Sequence, residues 1–208
     1  GRRRLMLRRP AICLALPLTL LLAGCGAEPV WAPDEAVARA RYVSGDAPSV
    51  TLYTVVRKKG NEGAHSGLMI DGSQRVMFDP AGTWHHPHVP ERHDVHFGIT
   101  PQMKAFYIDY HARETYDVIE QRIPVSPEVA EIAIRRALQN GSVNKAFCGT
   151  SVAHILRDVP GFESMPQTFF PGRLMKAFAT LPGVTTKTHH DGDPDNNSGV
   201  LIVQKSQG

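Results

Sequence analysis

The spacing of apolar residues changes at Ser126, and this change constrains the fold more than any other feature of the sequence. Before it, β-branched and aromatic residues gather in short runs that are typical of strands. The predicted strands are 50–56, 65–70, 74–78, 105–110 and 116–125. After it, apolar residues recur at helical spacing, with Ser126 as a cap, Pro127 in the first turn and Gly141 as the stop.

The remaining segments complete an α+β pattern. We predict a helix that begins near Cys148 and ends before Pro160. A further helix is predicted within the segment 171–183, which starts with proline and closes with Pro-Gly after the helix. Two segments near the end, 184–189 and 199–205, are predicted to be strands. The expected fold therefore has antiparallel strands, a helical segment that carries the cysteine, and strands that rejoin the sheet.

The start of the chain has the pattern of an export signal. Five arginines precede an apolar block over 11–24, which is too short for a typical membrane span. The block ends in Leu-Ala-Gly-Cys, which resembles the lipobox of bacterial lipoproteins. That resemblance implies that residues 1–24 are removed, Cys13 among them, and that Cys25 becomes the lipidated N-terminus. The alternatives are an uncleaved anchor and an ordinary signal peptide.

Export and lipidation place the mature chain in the bacterial cell envelope, held at a membrane with its domain facing the periplasm or the exterior. The predicted partner is then the lipid bilayer, reached through the lipid on Cys25. Residues 25–49 are predicted to be the lipidated cysteine and a tether, and 50–208 the folded domain. Without the signal the chain has 18 basic and 20 acidic residues, a net charge of −2. This balance argues against a nucleic-acid partner.

Cys148 is the cysteine that remains once Cys13 and Cys25 are assigned to export and lipidation. A leftover cysteine in an exported protein is a candidate reactive thiol. It stands where a helix is predicted to start, and a helix N-terminus lowers a thiol pKa and offers free amides to an oxyanion. Gly149 beside it leaves room for a substrate. The alternative is that Cys148 is a small buried apolar residue.

A histidine and an aspartate are placed to activate that thiol. The segments 65–70 and 74–78 predict a hairpin, with its turn at Asp71-Gly72. His65 begins the first strand and Asp79 follows the second, so the carboxylate can orient the imidazole across the ladder. The alternatives are that His65 is a surface histidine on an edge strand and that Asp79 is only the first residue of a turn.

The segments "AHSGLMIDGSQRVMFDPAG" and "KAFCGTSVAHIL" together resemble the circularly permuted NlpC-like papain-fold cysteine hydrolases. That group includes YaeF- and YiiX-like lipoproteins and lecithin:retinol acyltransferase-like proteins, and the resemblance covers about residues 50–180. It implies a permuted papain-like fold in which His65 is the base, Cys148 the nucleophile and Asp79 the orienting residue, with no cofactor or metal.

Two positions depart from the acyltransferase-like members of this group. Their polar third residue lies near Met77 of this chain, on the strand face that Asp79 shares by two-residue periodicity. They also tend to have asparagine before the cysteine, where this chain has Phe147. The resemblance therefore favours a peptidase or amidase. Peptidoglycan peptides and lipid acyl groups are the expected substrates for an enzyme in the envelope, and the sequence does not choose between them.

Two other functions are compatible with the sequence. The segment 84–98 contains five histidines, which could bind zinc or copper, with Asp94 as an additional ligand. Pro87 and Pro90 prevent a helix that would align these rings. The second alternative is a papain-like domain that no longer catalyses and serves as a binding module of the envelope.

Overall fold

The computed structural model describes residues 29–207, so the predicted signal peptide and Cys25 lie outside the described residues. No helix within 29–207 combines the length and the apolar character that crossing a membrane requires. The elements, in chain order, are α1 Asp34–Ala40, β1 Ser49–Arg57, β2 Glu62–Asp71, β3 Arg75–Phe78, β4 Glu91–Arg92, β5 Val95–Phe97, α2 Pro101–His111, β6 Tyr116–Pro124, α3 Pro127–Gln139, α4 Cys148–Arg157, α5 Pro171–Phe178, β7 Thr185–His189 and α6 Asn197–Lys205.

The seven strands form one antiparallel sheet in the order β4-β5-β3-β2-β1-β6-β7. Alternate side chains of its central strands enter two different apolar cores. Leu52 and Leu68 pack with α3, α4 and α5, whereas Tyr53 and Met69 pack with α2 and Trp84. Strands buried on both faces explain the nearly continuous apolar runs in the sequence. The predicted α+β class is confirmed.

The short strand β3 leaves space beside the first half of β2. β3 pairs with β2 only from Leu68 to Asp71, so residues 62–67 have no strand neighbour on that side. Helices α4 and α5 both pack against β2. The approach is close, because a Cβ atom on Gly63 would lie 2.3 Å from the backbone nitrogen of Gly172. Helix α4, which begins with Cys148, therefore packs directly on the strand that contains His65.

Two predicted strands are wrong, because both segments are helical. Residues 105–110 belong to α2, which begins where the Thr100 side chain accepts a hydrogen bond from the Met103 amide. Residues 199–205 belong to α6, which Asn196 caps in the same way. These side-chain caps satisfy amides that a helix start leaves free, and they outweigh the β preference of the residues that follow. The other predicted helices and strands are confirmed with small shifts at their ends, except that the helix predicted within 171–183 ends at Phe178.

Residues 29–48 lie on the domain, although the sequence predicts a tether for this segment. The guanidinium of Arg92 lies 4.6 Å from the centre of the Trp31 ring, and the Arg75 amide donates to the carbonyl of Tyr42 at 2.9 Å. The segment also contains α1. These contacts hold it against the β3–β5 side of the sheet.

The close contact between β2 and α5 gives a test of the fold. We expect Gly63→Ala to lower the free energy of unfolding by about 1–3 kcal/mol, because a methyl group would overlap the backbone at Gly172. The control is Gly192→Ala, since a Cβ atom at Gly192 meets nothing within 4 Å. Urea denaturation measures both variants, and equal midpoints for the two would contradict the described packing.

Candidate active site

His65 and Asp79 form a short hydrogen bond between adjacent strands. His65 lies on β2, and Asp79 is the first residue after β3. The distance between His65 Nε2 and Asp79 Oδ1 is 2.6 Å. The Asp79 side chain is fully buried, and 18% of the His65 side chain is exposed. The structure therefore brings the predicted base and the predicted orienting carboxylate together.

Tyr107 is a third member of this cluster that the sequence did not reveal. Its hydroxyl donates to the same oxygen, Asp79 Oδ1, at 2.9 Å. A Cβ atom at Gly67 would lie 2.5 Å from that hydroxyl oxygen. Gly67 is thus required for the contact. Two donors on one buried carboxylate oxygen offset much of the cost of burying its charge.

Cys148 is the first residue of α4, and its thiol lies beside the imidazole of His65, which lowers the thiol pKa. The backbone amides of Ser66 and Gly149 act on the thiol pKa in the same direction. Because Asp79 occupies Nε2 of His65, Nδ1 is the nitrogen left for the sulfur. Cys148 is 7% exposed, so only a small part of it contacts solvent.

These contacts shift the pKa values of all three groups. Burial alone would lower the pKa of His65, but the charge and hydrogen bond of Asp79 outweigh it and raise the pKa to about 10. Burial opposes ionisation of Asp79 as well, yet His65 holds the pKa of that carboxyl well below its usual range. For Cys148, burial raises the thiol pKa, and His65 with the two amides more than reverses this effect.

The cysteine pKa therefore lies below its ordinary value while the histidine pKa lies above its own. Both shifts favour a thiolate beside an imidazolium over the neutral pair, and the thiolate is the nucleophilic form of cysteine. The start of α4 supports that charge, since its dipole is positive there and no side chain caps the helix at Phe147. Of its first-turn amides, Gly149 acts on the sulfur and Ser151 donates to the Phe147 carbonyl, so Cys148 and Thr150 are the two that can serve a second anion.

His111 completes the surroundings of the imidazole. Its ring stacks on that of His65, with 5.6 Å between the ring centroids and an interplanar angle of 9°. Its Nδ1 donates to the carbonyl of Tyr107 at 2.8 Å. Burial lowers the pKa of His111 to about 4 against the opposing effect of Asp79, so its ring stays neutral beside the charged His65. A helix prediction over 105–110 would have placed Tyr107 and His111 on one face, four residues apart.

The histidine-rich segment makes structural contacts instead of a ligand cluster. His86 Nε2 lies 3.2 Å from the carbonyl oxygen of Gln204, and His93 Nδ1 lies 2.8 Å from Ser142 Oγ. Within 29–207, two groups bring three ligand atoms within 4.8 Å of one another, and neither includes a histidine of 84–98. They are His65 with Asp79 and His111, and Asp109 with Asp191 and Asp193. The former would have to break the His65–Asp79 hydrogen bond to take a metal.

Comparison of the chain with protein-family models, with curated proteins and with solved structures finds no match. The resemblance to the permuted papain-like hydrolases therefore stays a prediction. The site itself carries the functional information, because the His65 ring is hydrogen-bonded to Asp79 and lies beside the Cys148 thiol.

The described contacts predict an activated thiol. We expect iodoacetamide to alkylate Cys148 faster at pH 6.5 than it alkylates glutathione, because the thiolate fraction follows the lowered pKa. His65→Gln should slow alkylation at this pH about tenfold or more, since burial without the imidazole raises the thiol pKa. The rate is measured on the peptide that contains Cys148.

His154→Gln is the control, because His154 is exposed on the same helix as Cys148. Its alkylation rate should equal that of the unaltered chain. A Cys148 that reacts no faster than glutathione, with unchanged rates in His65→Gln, would contradict the described electrostatics.

Proposed function

We propose that this chain is a cysteine hydrolase with a permuted papain-like fold, in which Cys148 is the nucleophile, His65 the general base and acid, and Asp79 the orienting residue. The observation that carries the proposal is the hydrogen bond between His65 and the buried Asp79, with the Cys148 thiol beside the same imidazole. A nucleophile, a base and a group that orients the base are the three parts that this chemistry requires.

The first step is acyl transfer to sulfur. The Cys148 thiolate attacks the carbonyl carbon of an amide or ester, a carbon–sulfur bond forms, and the electron pair of the carbonyl moves to oxygen. Free amides at the start of α4 are placed to bind that oxyanion. The bond to the leaving amine or alcohol then breaks, and the leaving group takes its proton from His65.

The second step is hydrolysis of the thioester. His65, now neutral, takes a proton from water, and the resulting hydroxide attacks the acyl carbon. The carbon–sulfur bond breaks, the carboxylic acid leaves, and Cys148 returns to the thiolate beside the imidazolium. Asp79 keeps its hydrogen bond to Nε2 through both steps, so Nδ1 stays directed at the sulfur.

The arrangement of the elements supports the papain-like part of the proposal. The cysteine helix α4 packs against the strand that carries the histidine, and helix α5 packs against that strand and its neighbour β1. His65 and Asp79 precede Cys148 in the chain, which is the order that the permuted members have. This chain order and the packing of α4 on β2 are what supports the papain-like part of the proposal.

The proposed setting is the bacterial cell envelope. It depends on the N-terminal sequence, in which Leu-Ala-Gly-Cys ends an apolar block and provides Cys25 for lipidation. An anchored enzyme there meets peptidoglycan peptides and lipid acyl groups. Both contain the amide or ester bond that the thiolate attacks.

Turnover of two simple probes tests the proposal. The unaltered chain should hydrolyse p-nitrophenyl acetate or alanine p-nitroanilide, and Cys148→Ala should lower kcat/KM by about a thousandfold or more. Asp79→Asn should lower it by a smaller factor, on the order of a hundredfold, because the imidazole loses its charged partner while the thiol remains. Hydrolysis is followed by release of the coloured product.

His154→Gln again serves as the control and should keep the full rate. Two results would overturn the proposal. One is turnover that survives in Cys148→Ala, and the other is the absence of turnover of both probes by a chain whose thiol is reactive.

A further inference from the structure

The buried carboxylate of Asp94 lies outside the candidate site, yet Asp94 contacts both of the segments that lead to it. Asp94 is 8% exposed. The Val143 amide donates to its Oδ2 at 2.7 Å, and the Asp79 amide donates to its main-chain carbonyl oxygen at 2.8 Å. One residue therefore holds the segment that follows β3 and the segment that precedes α4.

Asp94 belongs to the tight turn between β4 and β5. Arg92 pairs with Val95, so His93 and Asp94 make the whole turn, and we call these two residues the hairpin tip. Both have a positive φ, 47° at His93 and 67° at Asp94. Turns that need two positive φ angles favour Asn-Gly or Asp-Gly, because glycine has no Cβ. This chain has a large side chain at the first position and a carboxylate at the second, which indicates that both side chains are used.

The second side chain of the hairpin tip contacts the same segment as the first. His93 Nδ1 lies 2.8 Å from the hydroxyl oxygen of Ser142, the residue before Val143. Residues 140–147 join α3 to α4 and lie outside any helix or strand. Because this connection has no regular hydrogen-bond pattern of its own, side-chain contacts from the hairpin tip fix its position, and with it the start of α4.

The carboxylate of Asp94 is a strong acceptor because it is charged at neutral pH. Burial raises its pKa to about 6, and the charges of Glu91 and Asp79 act in the same direction, while the amides of Val143 and Ala81 oppose the rise. Hydrogen bonds from amides to an ionised acceptor are stronger than those to a neutral one. The carboxylate that the sequence offered as a metal ligand is thus engaged by the backbone before the cysteine helix.

We infer that Asp94 is a positioning residue, which fixes the start of α4 relative to His65 and Asp79. This inference rests on the proposed function, because it takes Cys148, the first residue of α4, as the reacting group. The main-chain carbonyl of Asp94 holds the residue that orients His65. Its carboxylate holds the chain five residues before Cys148. His65 lowers the thiol pKa from its place beside the sulfur, so a displaced helix start weakens that effect.

The pH profile of Cys148 alkylation by iodoacetamide tests this role in the full-length chain, because its midpoint is the thiol pKa. Asp94→Gly removes the carboxylate and retains a residue that accepts the positive φ. We expect the midpoint to move up by about one pH unit, so that the thiolate fraction below it falls about tenfold. The rate at high pH, where the thiol is fully ionised, should stay unchanged.

The sign of the shift separates positioning from a direct effect of charge. Loss of a nearby negative charge would by itself favour the thiolate and move the midpoint down. Asp94→Asn loses the charge as well but retains a carbonyl oxygen for the Val143 amide, and we expect about half the upward shift. Asn61→Gly is the matched control. Asn61 is exposed and has a φ of 53° in the turn between β1 and β2, and its replacement should leave the midpoint unchanged.

Three results would overturn the inference. They are a midpoint that stays in place in Asp94→Gly, one that moves down, and a larger upward shift in Asp94→Asn than in Asp94→Gly. Thermal melting shows whether each variant is folded. Should Asp94→Gly fail to fold, Asp94→Asn takes its place, and an unchanged midpoint in that variant overturns the inference.

Hydrolysis separates the two proposals. If p-nitrophenyl acetate is still hydrolysed in a way that depends on Cys148 while the midpoint does not move up, the proposed function stands and only the positioning role is rejected. If the midpoint moves up as expected but the unaltered chain hydrolyses neither probe, Asp94 still positions the thiol and the hydrolase proposal fails.

Discussion

The hydrogen bond between His65 and Asp79 is the interaction on which the rest of the site depends. A fully buried carboxylate is costly unless its charge is paired, and Asp79 receives a donor from His65 at 2.6 Å and another from Tyr107 at 2.9 Å. The bond fixes the imidazole and directs its second nitrogen to the sulfur. It also keeps His65 protonated, and that positive charge stabilises the thiolate of Cys148 in a site where burial alone would suppress it. The same hydrogen bond therefore both orients the His65 ring and favours the thiolate of Cys148.

The fold allows this hydrogen bond because glycines stand where the elements around it come into close contact. Gly63 lets α5 approach β2, Gly67 makes room for the Tyr107 hydroxyl at Asp79, and Gly149 accepts the Phe169 carbonyl beside the sulfur. The short strand β3 contributes in a different way, since it ends before Asp79 and leaves residues 62–67 of β2, His65 among them, without a strand neighbour on that side. The geometry of the site thus depends on these glycines and on the length of β3 as much as on Cys148, His65 and Asp79 themselves.

The sequence correctly predicted the contact between His65 and Asp79, because that contact depends on a local hairpin. The hairpin turn and the two-residue periodicity of a strand were sufficient to place Asp79 beside His65, and the hydrogen bond confirms that they meet. The strand predictions for 105–110 and 199–205 were wrong for the same reason. Both are rich in residues that favour strands, yet α2 and α6 pack on each other, and the buried side chain of Gln204 donates to the backbone and a carboxylate of α2. Tertiary contacts of this kind override a local preference, and the error concealed Tyr107.

Titration of the His65 imidazole by NMR measures whether Asp79 keeps this ring charged, and the charge of the ring affects the state of Cys148. We predict that His65 stays protonated through neutral pH and loses its proton only at about pH 10. A resonance that titrates near 6.5, the ordinary value for histidine, would contradict it. In that case the ring would be neutral at physiological pH and the thiolate would lack its partner.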